Sequence, residues 1–161
     1  YNFDTEKKKM KIHFESEIFN RPIETDMSLL GSMQLENACM AAIAVRKILP
    51  NLSEEVIERG LAKAKLPGRF EILENIKGFE GISTLILDGA HTLNSIKLTL
   101  DTLNKLYENE KVDLLFACAA DKDIKDISKA LQYRFNHVYI TRPGDIKHSD
   151  LQAADEAFKN A

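Results

Sequence analysis

From residue 70 onward, short apolar runs alternate with helical patterns, and that alternation is what most restricts the fold. Strand-like runs cover 70–73, 83–87, 112–118 and 137–141, and apolar residues recur at helical spacing over 93–107, 124–133 and 150–159. This alternation predicts an α/β domain with a mainly parallel sheet, because a right-handed helical crossover is what returns a chain to lie parallel beside its own strand. Such a sheet is covered on both faces, which suits the uninterrupted Leu85-Ile86-Leu87. Asp88, Gly89, Ala90 and His91 follow that run, and then Thr92 and Asn94, either of which can cap the next helix. Asp88 and His91 are therefore placed just beyond a carboxyl strand edge, where open α/β sheets bind ligands. The plainer reading is that Asp88 caps the turn and His91 is a solvated loop residue. Four strands are fewer than a doubly wound sheet usually has, and the final helix has no strand after it, so truncation at both ends is expected.

The first half has a different pattern. Residues 10–14 alternate Met-Lys-Ile-His-Phe as a half-buried strand does, and 18–23, containing Pro22, is a second extended candidate, so a hairpin is predicted. Residues 33–49 are alanine-rich with apolar positions every three or four, the strongest helix signal in the chain. Pro50-Asn51 stops that helix, and Ser53, followed by Glu54 and Glu55, starts a second one that runs toward Lys65. Pro67 disfavours helix at Leu66, and Gly68 admits an unusual backbone angle. The domain boundary is placed there, with residues 1–66 forming one part and 67–161 the other.

Composition narrows the function classes. Of the 161 residues, 44% are hydrophobic and 29% charged, ordinary for a globular protein. The formal charge is −3, and the basic cluster Lys7-Lys8-Lys9 with Lys11 is flanked by Asp4, Glu6 and Glu15, so nucleic acid is not expected as a partner. No apolar run approaches the roughly 20 residues that span a bilayer, which argues against a membrane partner. Cys39 and Cys118 sit in apolar contexts without Cys-x-x-Cys spacing and read as buried thiols; no metal ligand set is predicted. A cytoplasmic protein is the default expectation.

Five short motifs then occur in one order: Gly31-Ser32-Met33-Gln34-Leu35-Glu36-Asn37-Ala38, Leu66-Pro67-Gly68-Arg69-Phe70-Glu71, Leu87-Asp88-Gly89-Ala90-His91, Ala120-Asp121-Lys122-Asp123 and Thr141-Arg142-Pro143. On these motifs, over about residues 30–143, the chain resembles the C-terminal half of folylpolyglutamate synthases. Those enzymes are often bifunctional with dihydrofolate synthase activity and belong with the Mur ligases. The resemblance implies a Rossmann-like, mainly parallel α/β domain with flanking helices over 67–161. It makes 1–66, a hairpin plus two helices, the closing part of an α/β ATP-binding domain. It also implies an ATP-dependent amide ligase, using ATP and Mg2+, that adds glutamate to folate or dihydropteroate through an acyl phosphate, with a monomer expected.

The same resemblance carries roles onto particular residues. Asn37 would meet the adenine edge, where a carboxamide both donates and accepts. Arg69, in the Pro-Gly-Arg turn, would reach the ATP phosphates with a planar, permanently charged fork. Asp88 is associated with the ribose or phosphate region and His91 with the phosphates, which makes Arg69 and His91 the catalytic candidates. Lys122 would attract the carboxylate of the incoming glutamate, the alternative being a solvated charge beside a helix-capping Asp123. Two positions depart from the family pattern: Met33 stands where His is usual, and Thr92-Leu93 where Asn-Pro is common.

The glycine-rich phosphate loop ending in Gly-Lys-Ser/Thr does not occur in the 161 residues. The triphosphate and Mg2+ are therefore expected to be held mainly by sequence upstream, and this polypeptide alone to be inactive. A phosphatase of the haloacid dehalogenase type fails, since it wants a second Asp two residues after Asp88 and Ala90 stands there. A non-catalytic α/β module that binds a nucleotide or a protein partner is the other class that fits.

Overall fold

The computed structural model describes residues 1–144 and 148–161. It falls into two compact units, Tyr1–Gly89 and Ala90–Ala161.

In the first unit β1 (Asn2–Asp4), β2 (Lys9–Phe14) and β3 (Ile23–Met27) make an antiparallel sheet in sequential order. The period of two in β2 is met by burial: Met10 and Ile12 are fully enclosed, while Lys11 and His13 are exposed. The last strand of this sheet begins at Ile23, where the 18–23 segment was expected to be extended throughout. A turn closed by the Phe19 N–H on the Ser16 carbonyl (3.0 Å) occupies the start of that segment, and Pro22, which has no N–H for a ladder, precedes the strand.

Two helices follow, α1 (Ser32–Ile48) and α2 (Glu54–Lys63). Their junction is a buried polar contact. Arg46 bonds Glu54 in the first turn of α2 and donates to the Pro50 carbonyl at 3.0 Å, while the Asn20 N–H donates to Glu54 at 3.0 Å. The Asn20 backbone N–H, then the N–H of Glu54 itself and, more weakly, Arg46 hold the Glu54 carboxyl below the usual range. Arg21 bonds Glu58 at 2.6 Å and Glu55 at 2.8 Å, which ties the loop before β3 to α2 and depresses Glu55 to about 2. β4 (Glu71–Glu74) and β5 (Thr84–Leu87) close the unit as an antiparallel pair with Glu71 opposite Leu87. A parallel partner would need a crossover of about a dozen residues. The 75–83 connection is shorter and holds no helix, so these two strands pair as a hairpin.

The second unit has the predicted alternation: α3 (Leu93–Leu106), β6 (Leu114–Phe116), α4 (Ile124–Leu131), β7 (Val138–Ile140) and α5 (Leu151–Lys159). β6 and β7 are parallel, Phe116 opposite Ile140, with α4 as the crossover. Ile96, Phe116, Ile127 and Leu131 form the core, and Phe158 sits edge-on to Phe116 with ring centroids 5.3 Å apart. Asp123 and Asp150 cap α4 and α5 by accepting the N–H groups of Asp126 (3.2 Å) and Ala153 (2.9 Å).

Candidate active site

The first unit opens a cleft where the chain leaves α2 for β4. Pro67 stops helical continuation, and Gly68 takes a φ of +67°, a region that L side chains rarely adopt. Leu66, Pro67, Gly68 and Arg69 line one side, and Leu87, Asp88 and Gly89 at the end of β5 line the other, around an open volume of about 460 Å³. Arg69 and Asp88, singled out in the sequence for separate reasons, therefore share one cleft, and both are exposed.

Three hydrogen bonds fix its rim. Asp88 Oδ2 accepts the Phe70 N–H at 2.7 Å, the Gly89 N–H donates to the Gly68 carbonyl at 2.8 Å, and the Gly68 N–H donates to Glu71 Oε2 at 2.9 Å. Between them Phe70 is buried with a φ of +44°. A Cβ on Gly89 would stand 3.4 Å from the Gly68 carbonyl oxygen and 3.5 Å from the Arg69 guanidinium, ordinary contact distances that place that group beside the turn. Sequence reasoning gave no role to Phe70 or Glu71. For Glu71 a signal existed, since a carboxylate three residues beyond a glycine turn can return to the glycine N–H.

Asn37 is not among the cleft-lining residues. It is exposed on α1, and its amide donates to Gln34 Oε1 at 3.3 Å.

In the second unit His91 is exposed immediately before Thr92, the N-cap of α3. Thr92 and Ser95 cap each other: the Ser95 N–H donates to Thr92 Oγ1 at 3.2 Å, and Ser95 Oγ accepts the N–H groups of Thr92 (3.0 Å) and His91 (3.2 Å). The His91 backbone is thereby set by the first turn of α3. Lys122 follows β6 and donates to Asp121 Oδ2 at 3.1 Å, with a quarter of its side chain exposed (25%). The Thr141 N–H donates to the Phe116 carbonyl at 2.9 Å and the Ala120 N–H to the His148 carbonyl at 3.0 Å, so the segments bearing Lys122 and Thr141 leave the same carboxyl end of the β6 and β7 pair. Cys118, half-buried there, has its thiol pushed up by burial and then by Asp121, which disfavours the thiolate. Among the described residues no group of three His, Cys, Asp or Glu side chains is placed to hold a metal ion, and no helix is long and apolar enough to cross a membrane.

Residues 68–160 match the family model described as Mur ligase, glutamate ligase domain. The chain is 32% identical over 109 residues to the probable bifunctional folylpolyglutamate synthase/dihydropteroate synthase of Haloferax volcanii, a match covering 68% of this chain and 12% of the relative. It is 29% identical over 119 residues to the UDP-N-acetylmuramoyl-L-alanyl-D-glutamate–L-lysine ligase of Streptococcus agalactiae, covering 74% of this chain and 22% of that ligase. The crystal structure of folylpolyglutamate synthase from Thermotoga maritima superposes with a TM-score of 0.77 at 28% identity, over 94% of this chain and 34% of the other. This chain thus spans about a third of that solved relative and less of the two curated ones.

Proposed function

Because this chain belongs to the Mur ligase glutamate ligase domain family, we propose that it is the C-terminal portion of an ATP-dependent ligase joining glutamate to a folate or dihydropteroate acceptor. The observation that carries the reading is the cleft in which an exposed Arg69, thrown out of a Pro-Gly turn, lies beside Asp88. The likeness to folylpolyglutamate synthases, over nearly the whole chain in one solved case, supports the choice of acceptor. Residues 67–161 are assigned to the ligase domain and 1–66 to the end of the ATP-binding domain, a division supported by the family match beginning at residue 68.

In this reading the acceptor carboxylate takes the terminal phosphoryl group of ATP and releases ADP. The amine of glutamate then adds to the acyl carbon, loses a proton and expels inorganic phosphate, leaving an amide. Within this chain, Arg69 would neutralise and orient phosphate oxygens, His91 would approach the phosphates, Asp88 would serve the ribose or phosphate side, and Asn37 would meet the adenine edge. Lys122 would attract the glutamate carboxylate, its charge held in place by Asp121. The described residues do not fit Mg2+ by themselves, so the proposal leaves the metal to phosphate oxygens and to residues outside this chain. A monomeric cytoplasmic enzyme is part of the same proposal.

The test is steady-state kinetics on the full-length gene product, following glutamate-dependent ADP release with folate, dihydropteroate and UDP-sugar peptide acceptors in turn. Removing one oriented hydrogen-bond donor from a phosphoryl-transfer site costs about 3 kcal/mol, roughly a hundredfold in rate, so Arg69→Ala and His91→Ala should each lose that much. Lys122→Ala should raise the KM for glutamate more than that for ATP, since its contact precedes the chemistry. Turnover with the UDP-sugar peptide alone would replace the folate reading. No turnover with any acceptor would favour a non-catalytic nucleotide- or protein-binding module.

A further inference from the structure

The cleft rim contains an irregularity that separates Asp88 from a simple ligand role. In the β4 and β5 ladder Glu71 faces Leu87 and Ile72 faces Ile86, so an uninterrupted continuation would set Phe70 opposite Asp88 and Arg69 opposite Gly89. The first of these positions is filled in an unusual way: the Phe70 N–H is taken by the Asp88 carboxylate, at 2.7 Å. The second is displaced by one residue, since the Gly89 N–H bonds the carbonyl of Gly68 at 2.8 Å and not that of Arg69. Gly68, Arg69 and Phe70 thus oppose only Asp88 and Gly89. The extra residue is Arg69, and the positive φ values on either side of it, +67° at Gly68 and +44° at Phe70, are the backbone form of that bulge. Bulges re-aim side chains next to active sites, and here the residue driven outward is the exposed arginine of the cleft.

We propose that Asp88 is a positioning residue: by accepting the Phe70 N–H it holds the bulge that aims Arg69 at the nucleotide phosphates, and it acts on the reaction through Arg69. The inference rests on the assignment of Arg69 to phosphates made above and deepens the role given there to Asp88. What this position supplies is a short side chain with an acceptor oxygen at the reach of Phe70 N. Asparagine offers an oxygen at the same reach, without the charge; alanine offers none.

The experiment compares Arg69→Ala, Asp88→Ala, Asp88→Asn and the Arg69→Ala/Asp88→Ala double variant in the full-length ligase, with ATP varied, alongside amide hydrogen exchange over residues 66–73. Asp88→Asn is expected to keep the Phe70 amide protected and to lose less of the kcat/KM for ATP than Asp88→Ala does. Asp88→Ala should lose that protection and fall to the level of Arg69→Ala, about a hundredfold down. The double variant should be no worse than Arg69→Ala alone, because both changes remove one function. An Asp88→Asn variant as impaired as Asp88→Ala with the amide still protected, or a double variant whose losses multiply, would show Asp88 contacting the ligand by its own charge and overturn the proposal. Loss of Phe70 protection in both Asp88 variants overturns it as well. Near-normal turnover in Arg69→Ala would instead remove the phosphate assignment on which the inference stands, an outcome read from a different variant.

Discussion

The backbone of Phe70 offers a test of the bulge by stability alone, without substrate. Phe70 has 4% of its surface exposed, so truncation to alanine removes a packed ring and should cost about 4 kcal/mol, the middle of the range for buried aromatics. Glycine loses the same ring, and at an ordinary position it would be worse than alanine by a further 0.5–1 kcal/mol or so through its looser unfolded chain. At a φ of +44° the order reverses. An L residue in the left-handed region costs roughly 1–2 kcal/mol that glycine does not, so Phe70→Gly should be more stable than Phe70→Ala by about 1 kcal/mol. With a urea slope of about 2 kcal/mol/M, the transition of the first unit should move down by about 2 M in Phe70→Ala and by about 1.5 M in Phe70→Gly. Urea titrations followed by circular dichroism, with the slope checked for constancy across the three proteins, read this directly. If Phe70→Ala proves the more stable of the pair, Phe70 is not left-handed in solution and the bulge argument for Arg69 goes with it.

Other consequences concern charges and caps. Glu24 and then Glu15 raise the His13 pKa, so its stabilising contribution is full below the unfolded value of about 6.5 and fades as pH rises through the folded value; a nuclear magnetic resonance titration should place the His13 midpoint above 6.5, and His13→Gln should abolish this pH dependence. Glu55 is depressed to about 2 chiefly by Arg21, so its contribution is present above its unfolded pKa and is lost as pH falls through about 2. In Arg21→Ala the Glu55 carboxyl should titrate well above 2, and an unchanged midpoint would discount that ion pair. Thr92→Ala should destabilise the second unit by about 1 kcal/mol in urea while Thr92→Ser stays near the parent, because serine keeps the hydroxyl that accepts the Ser95 N–H.

How far the fold was legible depends on whether a pattern was local. The helix over α1 could be read from alanine content and periodicity, yet the face it buries could not: Ala38, Ala42 and Arg46 turn inward while Met40 and Ile48 are 62% and 75% exposed. With so many alanines the apolar face is weakly defined, and an arginine inside is set by a partner eight residues on, Glu54, which periodicity does not reveal. The caps at Thr92 and Asp123 were local and readable, because a short polar side chain before a helical run has one recurrent use, whereas Asp150, counted in the last helix, proves to be its cap. The β4 and β5 hairpin was less so. Counting 70–73 among alternating strands overlooked that no helix lies between it and the next strand, and connection length is what separates a hairpin from a crossover.

The site shows the same division in sharper form. Arg69 and Asp88 lie in different motifs and were nominated differently: Asp88 as an acid beyond a strand edge, Arg69 through the family resemblance of its Pro-Gly-Arg turn. Neither nomination contained the link between them, since that link is a main-chain N–H belonging to Phe70, a residue whose type predicts an extended backbone and a ring in a core. The ring is indeed in a core. Burial is what permits the unfavourable φ, because the side chain that would relax an exposed backbone is committed to packing, and the acid across the ladder accepts the N–H that the distortion presents. The two readings first offered for Asp88, a turn-capping acid and an active-site acid, are therefore compatible: on the proposal that Arg69 meets phosphate, an acid that fixes the turn bearing Arg69 does the second by doing the first.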